Sequence, residues 1–398
     1  MLYTPARHEP LRNTPWNPLT AESRLRQIVS DVTNTFSAEP PQSLNDNPDP
    51  AHQAPSNIYN GAMGMLWGCV HLQQYSNVPL PAPLETIADD IYARFHQTEA
   101  VHMAQFGADG MLPAYFLGET GLLRAMSELL PHRRAGFAQR LQTLVEANMK
   151  NPTLEPLWGG TGSLIAALAY MDEQQSDPLR QALIDHARYM QSTLQQDASF
   201  DCGIWEQDLY GSLLHLLGAG HGFVGNLYPF VRGSAYLPAD LAEWARATAV
   251  DTMIKSADTE AGCANWASNL GGVDRDRDTH LVQWCHGAPG VIISLNPIPK
   301  GYSTRFDELL VMAGELIWQA GPLTKGISLC HGTDGNGIAL LKLYQRTGNT
   351  LWLERARAFA MHLINEQACD ASLWLGDMGY ACFLHACLTE SDQFPLLD

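Results

Sequence analysis

One short motif recurs along this 398-residue chain and constrains its fold more than any other feature. The motif is Gly-x-x-Gly followed by an apolar stretch, and it occurs seven times at intervals of 44 to 65 residues. The copies begin at Gly61, Gly107, Gly159, Gly222, Gly287, Gly332 and Gly376. One copy would carry no information, but repetition of one element along a chain is typical of a repeat architecture.

The segments between the copies have helical patterns. In "LERARAFAMHLI", Ala356, Phe359, Ala360 and Leu363 recur at the spacing of one helix face. In "SDPLRQALIDHARYM", Asp177 is the predicted N-cap and Pro178 the first helical residue. No comparable series of alternating strands is present. We therefore predict an all-α chain in which each repeat is a helical hairpin, with an apolar helix followed by an amphipathic one.

Seven such hairpins can close into a double ring, so the predicted fold is an α/α toroid with inner and outer helices. The glycine turns would then gather at one end of the inner ring, because glycine lets backbones approach closely. The toroid is expected to span residues 57–398. Residues 1–56 differ in kind: "SRLRQIVSDVTNTF" predicts a helix and "SAEPPQSLNDNPDPAHQAPS" a Pro-rich linker, together packing on the toroid.

Composition excludes several classes of partner. The formal charge is −18, from 42 acidic and 24 basic residues, which argues against a nucleic-acid-binding face. No apolar run approaches the ~20 residues of a membrane span. The N-terminal "MLYTPARHEPLRNTPW" lacks the apolar core of a signal peptide, so a cytoplasmic location is expected.

Two of the eight cysteines lie in Cys-His-Gly turns, at Cys285-His286 and Cys330-His331. Thiolate and imidazole are ligands that zinc prefers, and catalytic zinc sites commonly have three protein ligands and an open position. Ring closure would place neighbouring turns side by side, which predicts a set of Cys285, Cys330 and His331. A redox pair, or two buried cysteines in turns, would have the same spacing.

With "GAGHG" at residues 218–222, these turns resemble the lanthionine synthetase C-like family. The resemblance covers nearly the whole chain after residue ~56. It is closer to the eukaryotic-type glutathione-binding members than to dedicated lanthipeptide cyclases, since a histidine, His286, follows the first cysteine. The resemblance implies an α/α toroid and one zinc ion per chain, bound by Cys285, Cys330 and His331.

The resemblance also implies an activity, the zinc-dependent addition of a thiol to a dehydroalanine or dehydrobutyrine residue, which forms a thioether. The thiol would come from glutathione or from a peptide cysteine, so the expected partners are glutathione and a peptide or protein containing a dehydroamino acid. The enolate formed by addition needs an acid. His221 matches the active-site histidine of the family and Glu155 an acidic position, while His286 is a further catalytic candidate.

Two basic residues complete the implied site. Lys325 matches a lysine that eukaryotic members place near the carboxylates of glutathione, and Arg277 matches a basic residue before the first motif. Without the resemblance, Glu155 would be interpreted as a solvated loop carboxylate and Lys325 as a surface lysine. A non-catalytic protein that binds zinc and glutathione, a lanthipeptide cyclase with its own precursor, and a toroid glycosidase remain as alternatives. The glycosidase would use two carboxylates from Asp109, Asp334 and Asp377.

Overall fold

The computed structural model describes residues 1–36, 55–105, 111–209, 211–271 and 280–398. Within these ranges, most helices alternate along the chain between an outer and an inner position. The outer helices are α1 (Pro18–Thr35), α3 (Leu84–Gln97), α6 (Arg134–Asn148), α8 (Asp177–Thr193), α10 (Ala239–Lys255), α12 (Thr304–Ala320) and α14 (Thr350–His362). The inner helices are α2 (Ala62–His71), α5 (Glu119–Leu129), α7 (Gly160–Glu173), α9 (Phe223–Arg232), α11 (Ala288–Leu295), α13 (Thr333–Thr347) and α15 (Asp377–Thr389). A short helix, α4 (Glu99–Gln105), follows α3.

The inner helices form a closed ring. Each packs against the next one along the chain, and α15, the last, packs against α2, the first. The predicted all-α toroid is therefore confirmed. The expected hairpin, an inner helix followed by an outer one, holds up to α14. In the described residues no outer helix follows α15, and α1 packs between α15 and α2 instead, so the N-terminal helix covers the flank that the last repeat would leave exposed.

Burial explains why the two kinds of helix differ in sequence. All eight residues of α11 are buried, as befits a helix covered on every side. In α8 the buried residues are Leu179, Ala182, Leu183, His186, Ala187 and Met190, which form one stripe. The cap of α8 lies one residue earlier than predicted: the Ser176 side chain accepts from the Leu179 N–H, and Asp177 is the first helical residue.

The second repeat begins at a different glycine pair from the predicted one. Gly107 and Gly110 lie outside the described residues, and α5 begins only at Glu119, after Gly118. In the other repeats the second glycine faces the carbonyl oxygen six residues earlier. Gly121 has the same neighbour, since a Cβ at this position would lie 2.0 Å from the Tyr115 oxygen. The prediction for this copy was therefore wrong, and the repeat is Gly118-x-x-Gly121.

The described residues also include three antiparallel ribbons of two short strands each. They pair β1 (Gln195–Asp197) with β2 (Cys202–Ile204), β3 (Gln207–Leu209) with β4 (Ser212–Leu214), and β5 (Asp258–Glu260) with β6 (Cys263–Asn265). β2 packs on α10 and β6 on α12. Strands of three residues are too short for their alternation to be recognised in the sequence.

Aromatic side chains fill the inner ring beneath the glycine turns. Trp284 and Trp374 lie with ring centroids 4.7 Å apart, and Phe116 is 4.9 Å and Phe394 5.1 Å from Trp374. Phe394 belongs to the C-terminal segment, which therefore enters the ring interior. In the described part of the chain, every helix is too short or too polar to cross a membrane.

Candidate functional site

A ladder of backbone hydrogen bonds joins five of the turns that precede the inner helices, those before α9, α11, α13, α15 and α2. The Gly220 N–H donates to the Cys285 carbonyl, and the Cys285 N–H to the Cys330 carbonyl, each at 3.2 Å. The Cys330 N–H donates to Trp374 at 3.2 Å, and the Trp374 N–H to Tyr59 at 3.0 Å. Each of these residues lies five positions before the second glycine of its repeat. The ladder therefore places equivalent residues of successive repeats side by side.

Cys285 and Cys330 occupy neighbouring positions of this ladder, although they lie 45 residues apart in the sequence. Their thiols are buried and hydrogen-bonded to each other. That hydrogen bond lowers the pKa of Cys285 against the opposing effect of burial, assisted by the charges of His221 and Lys325. The same bond, together with burial, raises the pKa of Cys330. The pair therefore loses its first proton readily and retains the second.

Each sulfur also has a separate side-chain donor. The Gln283 Nε2 donates to the Cys285 Sγ at 2.9 Å. The Tyr59 hydroxyl is hydrogen-bonded to Cys330, and burial, followed by the charge of Cys330, raises the pKa of Tyr59 well above its ordinary value. The phenol therefore remains protonated and can donate.

His221, His286 and His331 also occupy equivalent positions, each four residues before the second glycine of its repeat. The rings of His221 and His286 stack at 21° with centroids 5.9 Å apart. Burial, and then the charge of His221, lowers the pKa of His286 to about 3, so this ring is neutral near pH 7. Burial and the charge of Lys325 lower the pKa of His331.

Glu155 fixes the orientation of His221. The His221 Nδ1 lies 3.0 Å from the Glu155 Oε2. Burial alone would lower the pKa of His221, but the hydrogen bond and charge of Glu155, with the charge of Cys285, outweigh burial and raise it. Since Nδ1 is engaged, Nε2 is the ring nitrogen that can exchange a proton with a substrate.

Glu155 is fully buried, so its interpretation as a solvated loop carboxylate is wrong. Its oxygens accept from the Leu157 N–H at 3.0 Å and the Trp158 N–H at 2.6 Å. The equivalent residues of other repeats also cap their turns: Asn57, Ser328 and Ser372 accept from backbone N–H groups two or three residues later. The longer glutamate side chain caps its own turn and also reaches the histidine of the next repeat.

Of the two remaining predicted residues, the structure describes Lys325 and does not describe Arg277. Lys325 is exposed on the loop before Cys330, and its positive charge acts on both thiols and on His331. Arg277 lies outside the described residues. Sequence reasoning missed Tyr59 and Gln283. An alignment of the seven turns on their second glycine would have found them, because it puts Tyr59 at the same position as Cys330 and Gln283 at the same position as Glu155.

The donor chemistry of the site suits zinc at the two cysteines. Their sulfurs meet, each has its own hydrogen-bond donor, and His331 follows Cys330 in the same turn. Among the described residues, however, no three His, Cys, Asp or Glu side chains converge closely enough to hold a metal ion. The two cysteines fit the ion, and ligation by His331 stays a prediction.

Comparison with known proteins gives consistent matches. Residues 55–397 match the lanthionine synthetase C-like protein family. LanC-like protein GCL1 of Arabidopsis thaliana is 36% identical over 129 residues, which cover 29% of this chain and 30% of that protein. Glutathione S-transferase LANCL1 of Danio rerio is 45% identical over 86 residues, 21% of each chain. The matched segments thus span less than a third of either relative.

The structure is also similar to that of nisin cyclase. The TM-score is 0.59 and the sequences are 14% identical, with 94% of both chains covered. At this identity the likeness concerns the fold, and it agrees with the closed ring of inner helices.

Proposed function

The chain belongs to the lanthionine synthetase C-like protein family, and from that membership we propose that it is an enzyme that adds a thiol to a dehydroalanine or dehydrobutyrine residue, forming a thioether. One observation carries the proposal: two adjacent buried thiols lie beside a histidine that is paired with a buried glutamate. Such a site contains groups suited to a sulfur nucleophile and a group suited to proton transfer.

Cys285, Cys330 and His331 would hold one zinc ion, which when bound supplies a positive charge that keeps an incoming thiol deprotonated. Addition forms a bond between the substrate sulfur and the β-carbon of the dehydroamino acid. The electron pair of the carbon–carbon double bond moves to the α-carbon and its carbonyl, which gives an enolate. A proton on the α-carbon then completes the thioether.

His221 is the proposed donor of that proton. The raised pKa of His221 favours its protonated form, and Glu155 holds the ring by Nδ1 so that Nε2 can deliver the proton. The proton released by the incoming thiol restores the histidine, so the reaction consumes only thiol and dehydroamino acid. Neutral His286 lies nearly parallel to His221, with the ring centroids 5.9 Å apart.

Glutathione is the proposed thiol substrate. One relative that this chain resembles over 86 residues is named a glutathione S-transferase. Lys325 is exposed beside the thiols, where its charge suits a thiol compound that carries carboxylates. Free thiols at the site require reducing conditions, which fits the expected cytoplasmic location.

Mass spectrometry tests the proposal directly. Zinc-loaded protein is mixed with glutathione and a peptide that contains one dehydroalanine, and the expected product is the peptide plus one glutathione. A second peptide, with dehydroalanine and a cysteine in the same chain, tests cyclisation. Formation of a ring without any glutathione adduct would favour a lanthipeptide cyclase. Zinc-loaded protein that makes neither product would support an interaction protein without turnover.

A further inference from the structure

Each of the paired sulfurs accepts a hydrogen bond from a side chain that the proposed reaction does not use. Gln283, which is 6% exposed, donates to Cys285, and the half-buried Tyr59 donates to Cys330. The two donors come from different repeats and approach the sulfurs from different turns. The arrangement therefore gives one dedicated donor to each sulfur.

The backbone of its own turn fixes Gln283. Its N–H donates to the His286 carbonyl and its carbonyl accepts from the His286 N–H, both at 3.2 Å. This pair of bonds closes a tight loop around Cys285. The equivalent side chains in other repeats, such as Asn57 and Ser328, accept from backbone N–H groups of their turns, whereas the Gln283 amide donates to a sulfur. The fifth turn is thus capped by its backbone, and the side chain is available for the thiol.

Contacts on several sides fix Tyr59. Its ring stacks on Trp374 at 21° and 5.8 Å, and meets Phe116 edge-on at 6.2 Å. Its carbonyl accepts from the Trp374 N–H, and its own N–H donates to the Asn57 Oδ1 at 2.9 Å. Phe116, the equivalent residue of the second repeat, supplies an aromatic ring without a hydroxyl. The Tyr59 hydroxyl is therefore not needed to pack the ring.

We propose that Gln283 and Tyr59 are positioning residues that hold the two sulfurs and withdraw electron density from them; this inference rests on the proposed function. A hydrogen bond donated to a thiolate stabilises its charge. A sulfur with its own donor would give less charge to a bound ion, which would then keep more positive charge to act on the incoming thiol. Loss of either donor should therefore make the incoming thiol harder to deprotonate.

Cobalt(II) provides a readout that does not depend on turnover. The full-length protein is loaded with cobalt(II) alone, and its sulfur-to-cobalt charge-transfer absorption is recorded for wild type, Gln283→Leu and Tyr59→Phe. Both variants should absorb at longer wavelength, because an electron-richer sulfur gives up charge more easily. When the rate of thiol addition by the zinc-loaded protein is plotted against pH, the midpoint of the curve should be about one pH unit higher for each variant than for wild type. This shift corresponds to about a tenfold change in activation of the thiol.

Tyr115→Phe is the matched control. It removes another tyrosine hydroxyl, which donates to the Leu396 carbonyl and touches neither sulfur, so its spectrum and pH midpoint should match those of wild type. Variants whose spectra coincide with the control would overturn the inference, as would a wild-type protein that binds no cobalt. If the spectra shift but wild type makes no thioether, the positioning role stands and the proposed function fails.

Discussion

Replacing Glu155 with glutamine tests the proposed proton donor, because it changes charge and leaves the shape of the side chain nearly unaltered. In the wild-type protein the two carboxylate oxygens accept from Leu157, Trp158 and His221. A glutamine has a single acceptor oxygen, and its amide NH2 cannot accept. The variant must therefore leave either a turn N–H or the His221 Nδ1–H without its present partner.

The size of the effect follows from the bond that is lost. A hydrogen bond to a charged group contributes about 1.5 to 3 kcal/mol. If the bond supports the protonated His221 during proton transfer, kcat/KM should fall by about ten- to a hundredfold. Leaving a buried turn N–H unpaired would reduce the free energy of unfolding by about 1 to 3 kcal/mol.

The pH dependence has a definite sign. Because the pKa of His221 is raised in the folded protein, its pairing stabilises the fold fully below the ordinary value of 6.5 and ceases to do so as the pH rises through the folded value. The difference in free energy of unfolding between wild type and Glu155→Gln should therefore be largest below pH 6.5. The pKa of His221 should fall in the variant, so the alkaline limb of the rate profile should move to lower pH.

Glu119→Gln supplies the control for burial. Glu119 is also fully buried, but it is bound by Arg140 and by the Tyr92 hydroxyl at 2.6 Å, and not by the histidine of the site. This variant should lose stability and keep the wild-type rate profile. The assays are thermal unfolding and glutathione addition, each from pH 5 to pH 9. A Glu155→Gln enzyme with an unchanged alkaline limb would refute the role given to His221.

Further predictions concern the thiols and the turns. Cys330→Ala should abolish thiol addition and lower the zinc content from about one per chain, while circular dichroism still reports a helical protein. In metal-free protein treated with diamide, the tryptic peptides of Cys285 and Cys330, which contain one cysteine each, should appear disulfide-linked; linkage of either to another cysteine would refute their adjacency. Gly121→Ala should destabilise the fold by about 2 to 4 kcal/mol, since its Cβ would lie 2.0 Å from a backbone oxygen. Gly136→Ala, in α6 with nothing within 4 Å, should instead stabilise it by about 0.5 to 1 kcal/mol; equal effects at the two glycines would contradict the placement of the second repeat.

The ring could be predicted from the sequence because its repeats share one turn. Once seven equivalent turns close into a ring, Cys285 and Cys330 must be neighbours because they lie in consecutive repeats. This inference needs no knowledge of how their side chains pack. The second repeat was misplaced because Gly107-x-x-Gly110 and Gly118-x-x-Gly121 both precede apolar residues. The structure identifies the second pair, because the Tyr115 carbonyl oxygen faces Gly121, and this contact depends on how the preceding chain folds back.

The surroundings of the thiols were harder to predict. Glutamate is rarely buried without a partner, and the partner of Glu155, His221, lies 66 residues away in the sequence. Tyr59 is farther still from Cys330, and the two meet only because the last repeat, through Trp374, bonds to the first. The first pair depends on the packing of neighbouring repeats and the second on closure of the ring, and a local pattern of residues contains neither.

The backbone ladder also explains how reactive side chains can lie at positions that hold the fold together. Cys330 uses its N–H to bond Trp374 and its carbonyl to bond Cys285, and neither bond involves the sulfur. The same ladder position holds a glycine, two cysteines, a tryptophan and a tyrosine in different repeats, so it accepts many side chains. The glycines of the motif have no such freedom, because a backbone oxygen fills the space of a Cβ. Substitutions of the cysteines should therefore abolish activity and change the free energy of unfolding little, whereas substitutions of the second glycines should destabilise the fold.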